Sequence, residues 1–229
     1  MKKYRERSPQ NVVSEIELLY TKYHKKSFYF VDDLFTKNKE RIIELCKLLR
    51  ITFPDITWRA MTRADLLDEE LLKEMKGGGC NYLALGIESG SERILRIIQK
   101  GMTPSQIRKV VDLCHDLKIK VKGFFIFPLP WESEETFDQT LEFVKSLKLD
   151  YCDIYPLAPY PGTQLWNNPE KYDLKIIKPD NSNWDNYYQV GKDGAHHELK
   201  FQHPNFTTER ILELINKFQK EVGITGLIS

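Results

Sequence analysis

Four carboxylates and an arginine stand just past short apolar runs. Asp32 and Asp33 follow SFYFV (27–31), Arg63 follows ITWRA (56–60), Glu88 follows YLALGI (82–87), and Glu132 follows the run that ends at Phe127. Carboxylates accept hydrogen bonds from an ammonium or a ribose diol, and an arginine pairs with a carboxylate. Such a set suits a small molecule carrying an amine, hydroxyls and an acid group. Each residue also has a plainer role open to it. Asp33 can cap the segment that follows, Arg63 and Asp65 can pair with each other, and Glu88 can accept from backbone amides at a helix start. Paired carboxylates equally suit general acid–base catalysis, as in a glycosidase or an aldolase-like barrel. That chemistry needs a poised acid, a nucleophile or a metal, and none stands out.

The remaining chemistry-bearing residues are less suggestive. His24 and His115 fall in helical patterns, while His196, His197 and His203 fall in an irregular tail. A metal on His196 and His197 would need a third ligand to which the sequence does not point, so no metal site is expected. The cysteines Cys46, Cys80, Cys114 and Cys152 never form a CxxC pair and read as small buried hydrophobes.

These residues need elements to position them. Ser8-Pro9 reads as an N-cap with proline in the first turn, and Val12, Val13, Ile16, Leu19, Tyr20 and Tyr23 recur at helical spacing. SFYFV reads as a buried strand that stops at a polar mouth. Ile42 to Leu49 predict a helix, ITWRA a strand, and residues 68–76 a helix with Gly77 as its stop. YLALGI predicts a strand and SERILRIIQKG a helix ended by Gly101. Thr103 caps a further helix through Leu117, with Gln106 in the capping-box position. Residues 119–127 and 150–155 predict strands around a helix from Glu134 to Leu147, and after Trp166 the pattern fades until an amphipathic helix from Thr208 to Val222. Five strands alternating with helices argue for right-handed βα units on a parallel sheet, in an open doubly wound sheet or a complete or partial barrel. No glycine-rich phosphate loop follows the first strand. In a barrel, the polar groups after the strands would share the carboxyl-end face, so a barrel is the expected architecture.

Composition narrows the function classes. The 229 residues, 41% of them hydrophobic, can bury a full core as one domain or two. Lys and Arg (34) balance Asp and Glu (33), so no nucleic-acid partner is expected. No apolar run approaches the roughly 20 residues that span a bilayer and no signal-peptide pattern is present. A cytoplasmic protein without a membrane partner is expected.

The motifs YRERSPQNVVSEIE, FYFVDDLFTKN, TRADLLDEELLKEMKGGGCNYLALGIESGSERILRIIQKGMT, KGFFIFPLPWESEETFDQTLEFVKSLKLDY and PYPGTQLW, in this order, resemble the radical S-adenosylmethionine enzymes. They are most similar to the branch that often carries an upstream cobalamin-binding domain, such as the anaerobic magnesium-protoporphyrin IX monomethyl ester cyclase-like proteins. The resemblance runs from Tyr4 to Trp166. It implies an α/β fold, a partial TIM-like (β/α)6 barrel over residues 1–166 with a variable extension over 167–229. Asp32 and Asp33 would meet the amino group of the methionine moiety, Arg63 its carboxylate, and Glu88 and Ser89 the ribose hydroxyls. Gly123 to Glu132 would contact adenine, with Ile126 against the base and Pro156 to Ala158 closing that side. No catalytic residue is assigned.

The chain departs from the family pattern in two places. Pro128 and Trp131 stand where the family usually has glycines, which predicts a different backbone path after that strand. The family's first strand and its CxxxCxxC loop do not precede YRERSP. In the family those thiolates hold a [4Fe–4S] cluster, and electron transfer from it cleaves S-adenosylmethionine to a 5′-deoxyadenosyl radical. The expectation is therefore a core fragment, inactive by itself, of an enzyme for methyl transfer, oxidative cyclisation or methylthiolation. Its partners would be a small-molecule substrate, an electron donor such as flavodoxin or ferredoxin, and a second copy at the open barrel edge. The competing readings are an unrelated barrel enzyme using the mouth carboxylates, and a non-catalytic binding module.

Overall fold

The computed structural model describes residues 5–178 and 199–223. Helix α1 (Pro9–Tyr23) begins where Ser8 Oγ accepts the Asn11 amide, and it buries Val12 and Ile16. Strand β1 (Ser27–Phe30) follows, then α2 (Lys39–Thr52), capped by Asn38, and β2 (Thr57–Thr62). Asp68 caps α3 (Glu69–Gly77), which leads into β3 (Cys80–Glu88). Helices α4 (Glu92–Ile97) and α5 (Pro104–Asp116) precede β4 (Lys120–Ile126), and α6 (Glu134–Ser146) precedes β5 (Tyr151–Tyr155). A short α7 (Gln164–Asn167), the two-residue strands β6 (Lys175–Ile176) and β7 (Phe201–Gln202), and α8 (Thr208–Val222) complete the described order. No described helix is long and apolar enough to cross a membrane.

The five longer strands form one sheet in the order β1-β2-β3-β4-β5, and β6 pairs with β7 in a separate antiparallel sheet. β1 pairs with β2 and β2 with β3 in parallel. The strand order never reverses. A doubly wound sheet reverses at its switch point, so this is the winding of a (β/α) barrel segment.

The described residues fall into two compact units. One comprises 5–87, 105–123 and 147–151; the other comprises 88–104, 124–146, 152–178 and 199–223. In the first, Trp58 is 1% exposed, donates its Nε1–H to the Gly78 carbonyl at 2.7 Å, and lies against the Phe30 and Phe35 rings. Glycine is required where α3 turns into β3. A Cβ on Gly78 would meet the Cys46 backbone at 2.8 Å, and Gly79 has φ +100 with the Ile56 carbonyl 2.6 Å from any added Cβ. In the second unit, the Phe125 ring lies tilted against Phe218 of α8, centroids 5.7 Å apart, and Phe127 lies between Phe137 and Phe206.

Three expectations change. The run SFYFV is half-exposed instead of buried: Tyr29 in β1 is 43% exposed and Val31, just beyond it, 72%, in the strand that ends the sheet. The helix expected to run to Gly101 ends at Ile97, where Ile98 to Gly101 turn out through left-handed Gln99 and Gly101. α7, β6 and β7 were not expected, since elements of two to four residues carry no period to read.

Candidate functional site

In the first unit, Asp32 and Asp33 are exposed immediately after β1. The segment that carries them is tethered from behind. The Phe35 amide donates to the Met61 carbonyl at 3.3 Å, and the buried Thr36 and Thr62 hydroxyls share a hydrogen bond. Asp32 lines a cavity of about 510 Å³ together with Arg5, Arg41, Ile16, Phe28 and Phe30. The Arg41 Nε there is held by the Arg7 carbonyl at 2.7 Å. Arg63, just past β2, makes a two-pronged bond to Asp65, Nε to Oδ1 at 2.8 Å and Nη2 to Oδ2 at 2.9 Å. The pairing considered above as the plainer role of Arg63 is therefore present, with both side chains about a third exposed. Gly123 is a buried residue within β4.

In the second unit the polar residues are enclosed and bonded to one another. Glu88 closes β3 with φ +73, a left-handed backbone that a glutamate adopts only under local constraint. Its Oε1 accepts Lys100 Nζ at 2.9 Å, with the two side chains only 19% and 10% exposed. Ser89 is fully buried. Its hydroxyl shares a hydrogen bond with Thr140 Oγ1 at 3.1 Å and accepts the Ser91 amide, while the Gly90 amide donates to the same Thr140 oxygen at 3.0 Å. Gly90 lies so close to α6 that a Cβ would meet Phe143 at 2.6 Å. The β3–α4 loop is thus sewn to α6, which holds Glu88 in its strained conformation.

Glu132 is 1% exposed, so it is enclosed and does not stand at an open mouth. Burial pushes its carboxyl up to about 8, against the Leu129 amide, Arg93 and Ser89, which pull it down. Its Oε2 accepts the Leu129 amide at 2.9 Å, closing the turn after β4. In that turn the Phe127–Pro128 bond is cis and Trp131 has φ +60. A tryptophan thus takes the left-handed backbone that a glycine would adopt without strain. It is held by the Arg93 Nη2, which donates to the Trp131 carbonyl at 2.7 Å, and by the Tyr172 ring at 5.7 Å. Ile126, half-buried, ends β4; Phe127 bonds the Tyr155 carbonyl at 2.9 Å; Pro156 is buried and Ala158 exposed just beyond β5.

The sequence reading missed Lys100, Thr140, His203 and Asn205. Lys100 precedes Gly101 just beyond α4 and looks like any solvated lysine; only its 8% exposure distinguishes it. His196 and His197 lie outside the described residues.

Two groups implied by the resemblance can be tested against these donors. An S-adenosylmethionine suits the second unit's set: a fixed carboxylate for a diol, an ammonium beside it, and the Ser91 hydroxyl, buried without a hydrogen-bond partner. A [4Fe–4S] cluster does not suit the described thiols. All four cysteines are buried, desolvation pushes Cys46 and Cys114 up to about 12 and raises Cys80 as well, and no described group of His, Cys, Asp or Glu could hold a metal ion.

Comparison with known proteins agrees with the fold. The chain is 35% identical over 216 residues to an uncharacterised methyltransferase of Pyrococcus horikoshii, a match covering 94% of this chain and 45% of that protein. It is 29% identical over 190 residues to the anaerobic magnesium-protoporphyrin IX monomethyl ester cyclase of Rubrivivax gelatinosus, covering 77% of this chain and 34% of that one. It therefore spans less than half the length of these relatives. Among solved structures, the radical S-adenosylmethionine methyltransferase TsrM of Kitasatospora setae, with cobalamin and a [4Fe–4S] cluster bound, superposes with a TM-score of 0.67 at 19% identity. That match covers 76% of this chain and 37% of TsrM. The coproporphyrinogen III oxidase HemN of Escherichia coli superposes at 0.61 and 17% identity over 96% of this chain and 48% of HemN, and both likenesses concern the fold. The model of the Radical SAM superfamily matches residues 1–144, so the chain belongs to that superfamily and is not an unrelated acid–base barrel.

Proposed function

We propose that this chain binds S-adenosylmethionine for a radical reaction, with methyl transfer favoured over oxidative cyclisation and methylthiolation. The preference for methyl transfer rests on the Pyrococcus horikoshii relative, whose match takes in nearly the whole of this chain. The observation that carries the proposal is Glu88. A carboxylate held at φ +73, ion-paired and sewn in through Ser89, Gly90 and Thr140, costs stability that a packing role would not require. A preset acceptor pair for a ribose diol accounts for that cost.

The other roles follow the family resemblance. Lys100, which the resemblance does not name, holds Glu88 in place through their ion pair and offers an ammonium to the ligand's carboxylate. Asp32 and Asp33 accept from its amino group, and Arg63 reaches its carboxylate once released from Asp65. Gly123, Ile126, Pro156 and Ala158 give the adenine an apolar wall. Ser89 positions Glu88, its own hydroxyl being engaged. When bound, S-adenosylmethionine supplies a sulfonium whose one-electron reduction breaks a carbon–sulfur bond. The described thiols do not fit the iron–sulfur cluster, so no step is assigned through it. A small-molecule substrate, a flavodoxin or ferredoxin as electron donor, and cobalamin belong to the same proposal at the level of the whole enzyme.

Titration calorimetry with S-adenosylmethionine tests the assignment. Wild type should bind, and Glu88→Ala should lose about tenfold or more in affinity, as expected for a charged acceptor of two hydroxyls. Equal binding by the two proteins would remove Glu88 from the site and the proposal with it.

A further inference from the structure

The turn after β4 contains two features that cost free energy, the left-handed Trp131 and the enclosed Glu132 carboxyl. Its carbonyls also leave the strand ladder and need partners of their own. Two of those partners come from far along the chain. The Leu129 carbonyl accepts the Glu132 amide at 3.2 Å and also His203 Nε2 at 3.2 Å, while the Glu132 carbonyl accepts Asn205 Nδ2 at 2.7 Å. The two donors organise each other. His203 Nδ1 accepts the Asn205 amide at 3.2 Å, so the ring proton sits on Nε2, where it donates to Leu129. Phe206 then packs on the His203 ring and on Phe127 at the start of the turn, each at 5.1 Å. The histidine is 7% exposed, so no water competes freely for these bonds.

The turn lies within the segment that matches the superfamily model, residues 1–144, and its clamp lies outside it. We infer that His203 and Asn205 are positioning residues for the β4 turn, through which a segment outside the matched core sets the affinity for the nucleoside end of the ligand. This deepens, and rests on, the assignment of Ile126 and its neighbours to adenine. Neither residue touches the ligand; both act by holding the Leu129 and Glu132 carbonyls, and so the path of the chain leaving Ile126.

The test uses the full chain and 5′-methylthioadenosine, which presents adenine and ribose without the amino-acid end. Four variants are compared with wild type: His203→Ala, Asn205→Ala, the isosteric Asn205→Asp, which replaces the donor by an acceptor, and His203→Gln, which keeps a side-chain N–H for Leu129. The clamp predicts about five- to tenfold weaker binding for the first three, the effect of one lost hydrogen bond to a positioned carbonyl, and recovery to within about twofold in His203→Gln. Amide exchange at Leu129 and Glu132 in the free protein should rise in the same three variants while the amides of α1 and β2 stay at wild-type rates. Rescue by glutamine is what a role in bulk packing would not give. Variants that fold, bind the nucleoside as wild type does and leave Leu129 and Glu132 protected would overturn the inference. If the alanine variants fail to fold, the Asn205→Asp and His203→Gln pair decides it on the same two readouts. Absence of binding by wild type would instead overturn the nucleoside assignment and the affinity claim resting on it, and the exchange rates alone would then decide whether the clamp positions the turn.

Discussion

The ends of β1 and β2 and the ends of β3 and β4 carry the same kinds of side chain under opposite conditions. Asp32 and Asp33 are exposed, and Arg63 pairs with Asp65 two residues away on a partly solvated surface. Glu88 and Lys100 are 19% and 10% exposed, and Glu132 is 1% exposed. Exposed charges are well solvated wherever they point, so a ligand can recruit them by exchanging one partner for another. Enclosed groups are committed when the chain folds: Lys100 meets the desolvation of Glu88, whereas burial pushes Glu132 toward its neutral form. Under the proposed assignment, the first region would adapt to a ligand by exchanging partners, whereas the second would meet it with groups already fixed by the fold.

Four substitutions break or sharpen this contrast. The largest effect is expected from Lys100→Met, which leaves Glu88 without its ammonium in an enclosed site and should cost about 3 kcal/mol in urea unfolding at pH 7. Adding Glu88→Gln should recover most of it. A loss as small as that of an exposed pair would erase the difference between the regions.

Next is the pH dependence of Glu132→Gln. Because the folded carboxyl titrates near 8, well above its ordinary value of 4.5, the folded chain binds the extra proton between those values. Wild type should then lose stability as pH rises from about 5 to about 8, at up to about 1.4 kcal/mol for each unit of pKa difference. Glutamine keeps an acceptor for Leu129 and removes this slope. The variant should be more stable than wild type at pH 8 and close to it at pH 5. Parallel denaturation curves at both pH values would show that Glu132 is less enclosed than its position indicates.

Asp65→Ala should change stability by less than about 1 kcal/mol, because the Arg63 pair is partly solvated. It should also tighten S-adenosylmethionine binding modestly, by releasing Arg63. The smallest effect on stability is expected for Asp33→Asn, within about 0.5 kcal/mol. The same substitution should weaken S-adenosylmethionine while leaving 5′-methylthioadenosine unaffected, since the nucleoside lacks the amino group. An equal loss for both ligands would move Asp33 away from the methionine end.

Local patterns in the chain were legible wherever a period or a cap repeats. Ser8-Pro9 marks the start of α1, and the spacing of Ile211, Leu214, Ile215 and Phe218 marks α8 with the bounds later observed. The positions of Asp32, Arg63, Glu88 and Ile126 past or at strand ends were legible for the same reason. The condition of each was not. Whether Arg63 serves a ligand or Asp65 is a question of side-chain direction, and the enclosure of Glu132 depends on elements that pack over it from elsewhere in the chain. Lys100 and His203 gave no signal, because a lysine beyond a helix and a histidine in an irregular segment are ordinary in composition.

The amino-acid sequence by itself determined the succession of strands and helices and the placement of carboxylates at strand ends, since both are written in short-range spacing, and its ordered motifs carried the resemblance to the superfamily. Only the tertiary structure decided which of those carboxylates is solvated and which is locked. The Glu88–Lys100 pair spans twelve residues and the His203–Leu129 bond spans 74, so their partners exist only after the chain has folded back on itself.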